Sequence, residues 1–380
     1  MSKNNVKSLA IWTCIVALNV GLHVATKLIK KETFITALTY QYAKEYNKEY
    51  PFIYLKAASA ENEYSHTKAY ELAKAVERDD LEEFERLASS DPSNLNVVGK
   101  HGLPFLIWAT FRDYKYSNSA LNLGCDPNAK IEYPRRVKSQ KSVLSKVEKS
   151  LNTYRLWNCS SLAAAEFYSA IFDRLGGSLS DDFANLFAHL LRLKADPNVG
   201  GVSPLVIAVC ANRRRDVEML LDYNADVNGS TSMIRQIYDA PYKTSYTTPL
   251  LAAAECCNFD MMKLLIENGA TCDLSTVNGR DIQRFLWLYT TLDVNKREKI
   301  FSKYHNCGFR ILSKLGYNPT YDVTSEDKCK EVMRLLTAKG VSFETYAPFL
   351  SLDEYLSYGS RTGALMDYCN ETDAYFGISN

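Results

Sequence analysis

The sequence predicts an all-α solenoid of stacked helix–turn–helix units with loop fingers, preceded by an N-terminal membrane helix. Two observations predict this fold class. A motif recurs at a fixed internal spacing, which indicates a repeat architecture. In addition, 19 uncharged residues from Ser8 to Thr26 approach the length of a bilayer-spanning helix. A chain of 380 residues, 46% of them hydrophobic, can bury a sizeable core.

The repeated motif is best preserved in two stretches, which begin at Ser203-Pro204 and Thr248-Pro249. In both, an alanine follows the proline by 4 positions, an apolar pair by 16 and 17, and a polar residue by 24. The hydroxyl residue suits a helix cap and the proline suits the first helical turn. The apolar pair predicts a second helix, which Gly269 ends in the second stretch. One such unit cannot bury its own apolar face, so stacked copies are required.

Weaker copies of the motif extend the array on both sides. The sequence predicts about six units over residues 67–345, with insertions at residues 131–157 and 229–246. Terminal units are expected to be atypical because one face meets water. The weaker copies lie at Ala75–Leu87, Pro104–Asn128, Ser160–Asn198, Ile311–Gly316 and Met333–Gly340. In the second of these, Pro104-Phe105 stands where Thr-Pro is expected, which makes the unit one residue short; its Phe105 and Trp108 are expected in the core.

These motifs resemble the ankyrin repeat, closely in the units at Ser203 and Thr248 and loosely elsewhere. The resemblance implies a protein-binding surface formed by fingers and inner helices, rather than a reaction centre.

The N-terminal residues 1–31 predict a signal anchor or transmembrane helix. Lysines bracket the uncharged stretch at residues 8–26, and an uncleaved anchor is favoured over a cleaved signal peptide or a buried helix. Residues 32–66 predict a helical stalk, because Tyr42, Tyr46, Tyr50 and Tyr54 share one helical face. The stalk could pack on the first repeat or lie at a membrane surface.

The lysines on the two sides of the anchor are nearly equal in number, so the positive-inside rule does not decide the membrane topology. The nine cysteines beyond the anchor form no disulfide framework and favour a reducing compartment, whereas the anchor favours export. We expect a membrane anchor through residues 8–26 with an exported array, and a cytoplasmic orientation stays open.

The formal net charge of +1 predicts no general affinity for nucleic acid. Two segments nevertheless carry excess charge. Residues 344–380, which include the predicted tail at 346–380, carry six acids against Arg361. The insertion at 131–157 carries seven basic residues against Glu132 and Glu148: Arg135, Arg136, Lys138, Lys141, Lys146, Lys149 and Arg155. Solvated surface and electrostatic contact are both open interpretations of these segments.

The insertion at 229–246 is rich in Tyr, Ser and Thr, which is typical of a recognition loop. A featureless insertion is the alternative. Arg213 and Arg214 occupy the predicted turn between two helices of one unit, as partner contacts or as solvated charge. The predicted anchors of the interface are Ile237, Tyr238, Tyr242 and Tyr246. No spacing selects a catalytic, metal or phosphate motif, so we expect no enzyme activity, no cofactor and no small-molecule substrate.

The order of anchor, stalk and divergent repeats resembles bacterial immunity proteins paired with type VI-secreted phospholipase toxins. Ala75–Leu81, Gly99–Gly102 and Leu106–Ala109 carry this resemblance. It implies a protein anchored in the inner membrane through residues 8–26, with the array in the periplasm, that occludes the toxin's active site. The alternative function is a membrane-tethered adaptor for another cellular protein.

Overall fold

Helices joined by short turns make up the part of the chain that the computed structural model describes: residues 59–100, 102–131, 159–175, 179–230, 247–295, 297 and 324–343. These ranges contain no β-strand, only isolated bridges. Their helical content agrees with the all-α prediction. The helices are α1 (Ala60–Tyr64), α2 (Tyr70–Glu77), α3 (Leu81–Ser90), α4 (Phe105–Thr110), α5 (Tyr114–Asn122), α6 (Ser161–Leu175), α7 (Leu179–Arg192), α8 (Pro204–Cys210), α9 (Arg214–Asp222), α10 (Pro249–Glu255), α11 (Phe259–Glu267), α12 (Val277–Thr291) and α13 (Glu326–Ala338).

The chain divides into two compact parts, Met1–Ser59 and Ala60–Asn380, and every helix named above belongs to the second part. The predicted anchor at residues 8–26 and residues 32–58 of the predicted stalk lie outside the described residues. No helix within the described ranges is both long enough and apolar enough to cross a bilayer.

Twelve of the described helices form six pairs, which we call units 1 to 6. The pairs in order are α2–α3, α4–α5, α6–α7, α8–α9, α10–α11 and α12–α13. The first helices of units 2 to 6 pack on one another in sequence, and so do several of the second helices. Each unit therefore covers the apolar face of its neighbour, as a repeat array requires.

The starts of α8 and α10 confirm the predicted caps. The Ser203 hydroxyl accepts the backbone N–H of Val206 at 3.3 Å, and the Thr248 hydroxyl accepts that of Leu251 at 3.3 Å. Pro204 stands in the first turn of its helix, where its missing N–H costs no hydrogen bond.

The second helices of units 2 to 6 end in one shared geometry. The second residue after each helix end adopts positive φ, namely Gly124, Lys194, Asn224, Gly269 and Gly340. The next residue then bonds back to the helix; the Ala270 N–H, for example, donates to the Leu265 carbonyl at 2.9 Å. This bond satisfies a carbonyl that the helix end would leave unpaired. The predicted role of Gly269 is confirmed.

Small and apolar side chains fill the space between the first helices. Ala208 and Ala253 are both 0% exposed. Every residue of α8 is buried, including Cys210, as expected for a helix that is apolar on all faces. Trp108 and Phe105 of α4 are also 0% exposed, which confirms their predicted place in the core.

Unit 2 is one residue short in its first helix, since α4 has six residues and α8 has seven, while the turn that follows has the same length in both units. In units 4 and 5, Asn212 and Cys257 adopt positive φ in that turn. Unit 2 has no such residue, and the Asp113 N–H bonds directly to the Ala109 carbonyl at 3.0 Å.

Unit 3 is extended. Its helices α6 and α7 contain 15 and 14 residues, against 7 and 9 in α8 and α9. The predicted bounds Ser160–Asn198 already make this unit longer than Ser203–Asn228, and the structure places the extra length in both helices.

Unit 6 differs from the prediction. Its first helix is α12, which the sequence motif did not reveal, and Met333–Gly340 belongs to its second helix and closing turn. The predicted copy at Ile311–Gly316 lies outside the described residues. The Thr276 hydroxyl accepts the N–H of Gly279 at 3.0 Å, so α12 begins with a cap soon after unit 5 ends.

Candidate protein-binding surface

An aspartate holds the turn that closes each of units 2, 3 and 4. In unit 4, the Asp226 carboxylate accepts the backbone N–H of Asn228 at 2.9 Å. The equivalent bonds join Asp126 to Asn128 and Asp196 to Asn198, each at 2.8 Å. Such side-chain to backbone bonds stabilise tight turns.

The asparagine of each of these three turns then binds the next unit. The Asn198 side-chain oxygen accepts the backbone N–H of Asp226 at 2.7 Å, while its amide donates to the Asn224 carbonyl at 2.9 Å. Asn128 accepts the N–H of Asp196 at 2.9 Å in the same way. We call this series the asparagine ladder; Asn96 and Asn228 complete it in the described residues. The ladder fixes the bases of the fingers relative to one another.

The insertion between units 2 and 3 begins and ends at one finger of this row. The Ile131 N–H donates to the Cys159 carbonyl at 2.9 Å, and the Ser161 N–H donates to the Ala129 carbonyl at 2.8 Å. The intervening residues 132–158 lie outside the described residues. Because these hydrogen bonds join the two ends of the insertion, units 2 and 3 pack as direct neighbours despite the added length.

The second insertion occupies the equivalent place between units 4 and 5. It follows Asn228 of the ladder and precedes Thr248, the cap of α10. One short finger, Val199–Val202, separates the two insertions, and its Gly200 forms a bridge with Cys159. Both insertions therefore leave from one row of fingers.

The predicted interface residues fall into two groups. Ile237, Tyr238, Tyr242 and Tyr246 lie outside the described residues. Arg213 and Arg214 follow the C-terminal end of α8, whereas the fingers meet its N-terminal end. A seven-residue helix separates the two positions by about 10 Å. The structure therefore does not bring the two arginines to the ends of the insertions.

The two arginines also differ from each other. Arg214 is exposed and pairs with Glu218 of its own helix at 2.8 Å. Arg213 is directed inward, with its side chain 21% exposed, and contacts Asp216 at 2.5 Å. Its guanidinium also donates to the Ser169 hydroxyl of α6 at 2.8 Å.

Glu166 is a buried charged residue that the sequence analysis missed. It is 0% exposed, and its carboxylate lies 3.6 Å from Nε of Arg213. Burial raises the pKa of Glu166 to about 8, while Arg213 opposes that rise and Asp216 adds to it. A glutamate within the otherwise apolar run Leu162–Phe167 was the available signal.

A small cleft of about 170 Å³ lies at the other ends of the first helices of units 4 and 5. Its lining includes Cys210, Cys256 and Lys328. Burial raises the pKa of both thiols well above the usual range, which disfavours the nucleophilic thiolate. Within the described ranges, no group of His, Cys, Asp and Glu side chains could hold a metal ion.

Comparison with known proteins identifies one repeat directly. A family model described as the ankyrin repeat matches residues 247–274, which contain α10, α11 and the turn that closes unit 5. No curated protein matches the chain in sequence. The match agrees with the repeat motif at Thr248. Ankyrin repeats are typically non-catalytic modules for protein–protein interaction.

Proposed function

From the premise of an ankyrin-repeat protein, we propose that the chain binds a protein partner through its finger row. The observation that carries this proposal is the common attachment of both insertions. Two long segments leave from one side of the array, and the asparagine ladder fixes the spacing of their bases. A rigid scaffold that presents variable loops is a general arrangement for recognition.

The two insertions offer complementary contact chemistry. Tyrosine side chains such as Tyr238 and Tyr242 supply large contact area at low entropy cost. The basic insertion at 131–157 favours an acidic partner surface and would accelerate association at low ionic strength. Ile237 and Tyr246 belong to the same proposed interface, and Arg214 extends it only if the partner also reaches the far end of α8.

We further propose that the partner is a secreted toxin of the phospholipase type, which the chain inhibits as an immunity protein. The support is the order of segments in the sequence and the finger row as a surface able to cover an active site. In this proposal, residues 8–26 anchor the protein in the inner membrane with the array in the periplasm.

The test is to co-express the full chain in susceptible bacteria with a phospholipase-type toxin encoded beside its gene. Protection of the cells, together with loss of lipase activity in a mixture of the purified proteins, is the expected outcome. Binding to the toxin without protection would reject inhibition. Failure to bind the toxin, with binding to another cellular protein, would favour the membrane-tethered adaptor.

The proposed role of the insertion at 229–246 leads to a specific prediction. Replacing both Tyr238 and Tyr242 by alanine should weaken partner affinity by roughly 30-fold, because buried tyrosines often dominate interfaces. Tyr114→Ala is the matched control, since Tyr114 begins α5, at the end of unit 2 opposite the fingers. Its affinity should stay within about twofold of wild type. Calorimetry measures the affinity of each variant for the partner. Equal affinities for the two variants and the wild type would exclude the insertion at 229–246 as a dominant contact.

A further inference from the structure

Unit 3 contacts unit 4 through a buried polar cluster. Glu166 belongs to α6, and neither of its carboxylate oxygens has a hydrogen-bond partner. The closest cation is Arg213, at 3.6 Å from the carboxylate. The same guanidinium is already bound to Asp216 at 2.5 Å and to the Ser169 hydroxyl at 2.8 Å. Arg213 therefore offsets only part of the cost of a buried charge on Glu166.

The other ionisable groups around α6 do not replace the missing partner. Those that act on Glu166 are Arg213, which favours the charged form, and Asp216, which disfavours it. Helix α4 contributes no ionisable side chain, and α8 contributes only the Cys210 thiol. On α7, Asp181 is exposed and His189 contacts Tyr114. Also nearby in sequence are Asp173 on α6 and Asp182 and Arg192 on α7.

We propose that Glu166 and Arg213 form a pH-sensitive contact, in which loss of the Glu166 proton favours separation of the α6–α7 hairpin from unit 4. In the closed contact the carboxyl group is neutral, so its burial is tolerated. Opening exposes it to water, where it ionises readily. The contact thus regulates how firmly unit 3 is attached to unit 4.

The direction of the pH effect follows from proton linkage. Burial raises the pKa of the closed Glu166 to about 8, from the ordinary value of 4.5 that applies once the carboxyl is solvated. Between these values the closed state holds one more proton than the open state. Closure is therefore most stable below about pH 4.5, weakens as the pH rises, and becomes constant above about pH 8.

Hydrogen exchange of the full-length protein tests the proposal. After correction for intrinsic exchange rates, we expect opening of residues 168–175 to increase by tens of fold between about pH 5.5 and 7.5. In Glu166→Gln the increase should fall below about threefold, because the side chain no longer titrates. Asp181→Asn, an exposed change on the same hairpin, should retain the wild-type dependence. A flat wild-type profile, or an unchanged slope in Glu166→Gln, would overturn the proposal.

A second measurement holds even if Glu166→Gln folds poorly. Infrared difference spectroscopy of the wild-type protein should show a protonated carboxyl band at pH 7 that disappears above about pH 9. The exposed carboxylates are ionised at both values and give no such change. Absence of the band would show that Glu166 is charged when buried, which contradicts the proposal.

Discussion

Single polar residues fix neighbouring units at the base of the fingers. Asn128 and Asp196 are 68 positions apart in the chain, yet the side chain of one accepts the backbone N–H of the other at 2.9 Å. The insertion and the long hairpin of unit 3 both lie between them. These two residues therefore preserve the spacing of the array wherever the chain adds length.

Gly279 of unit 6 lies at a position where no larger residue fits. A Cβ atom added to Gly279 would lie 1.9 Å from the carbonyl oxygen of Asp273, which no Cβ contact allows. The connection from unit 5 is short here, and α12 begins directly against the preceding turn. By contrast, Gly269 has a φ of +95° but open space around the same position.

Gly279→Ala should lower the free energy of unfolding by about 3 kcal/mol or more, because backbone atoms must shift. Gly269→Ala should cost about 1 kcal/mol, since the left-handed conformation is strained without any clash. Urea denaturation of the two variants beside wild type measures the difference. Equal losses would show that the end of unit 5 moves easily away from α12.

At the scale of elements, the α6–α7 hairpin packs against the turn between α4 and α5 of unit 2. Phe111 of that turn is 1% exposed and packs edge-on against Tyr168 and Phe183, with ring centroids 4.9 Å and 5.0 Å away. On its other side, the hairpin reaches Arg213 of unit 4 through Ser169. One elongated element thus contacts the turns of both neighbouring units.

Phe111→Ala should destabilise the protein by about 3–5 kcal/mol, because it leaves a cavity among the aromatic rings of the hairpin. Leu193→Ala provides the control, since Leu193 is 41% exposed at the end of α7. That change should stay within about 1 kcal/mol of wild type. Thermal or chemical denaturation compares them, and a loss of under 1 kcal/mol for Phe111→Ala would mean that the hairpin packs independently of unit 2.

Across the whole molecule, hydrogen bonds connect the units at both ends of the first helices. The asparagine ladder acts at the finger end, and Asn258 donates to Asn212 at 2.7 Å at the opposite end. Fingers with long insertions therefore extend from a base held on two sides. Rigid attachment limits the entropy that recognition must overcome, which supports a binding role.

The orientation of the whole protein depends on the proposed membrane anchor. A topology reporter fused after residue 66 should be active only outside the cytoplasm, because residues 8–26 are expected to carry the following chain across the inner membrane. The same fusion lacking residues 1–31 should give a cytoplasmic signal. A cytoplasmic signal from the longer fusion would contradict the periplasmic orientation and, with it, the proposed encounter with a secreted toxin.

Local sequence rules were sufficient for much of the array. Ser203, Pro204 and Gly269 act where the chain bends, so their roles follow from backbone geometry within a few residues. The start of α12 was missed because neither Thr276 nor the residues after it repeat the Thr-Pro-Leu motif. The extra length of unit 3 was present in its predicted bounds, but the motif marks only the two ends of a unit and so did not assign that length to both helices.

The sequence by itself determined the repeat class, the helix caps and the positions of the insertions, since these depend on contacts between residues close in the chain. Only the tertiary structure decided that both insertions leave from one finger row, that Arg213 is directed inward, and that Glu166 is buried against it. Those facts depend on contacts between units. Charge and burial at such contacts are set by which residues of the neighbouring unit face them, and chain order alone does not specify that.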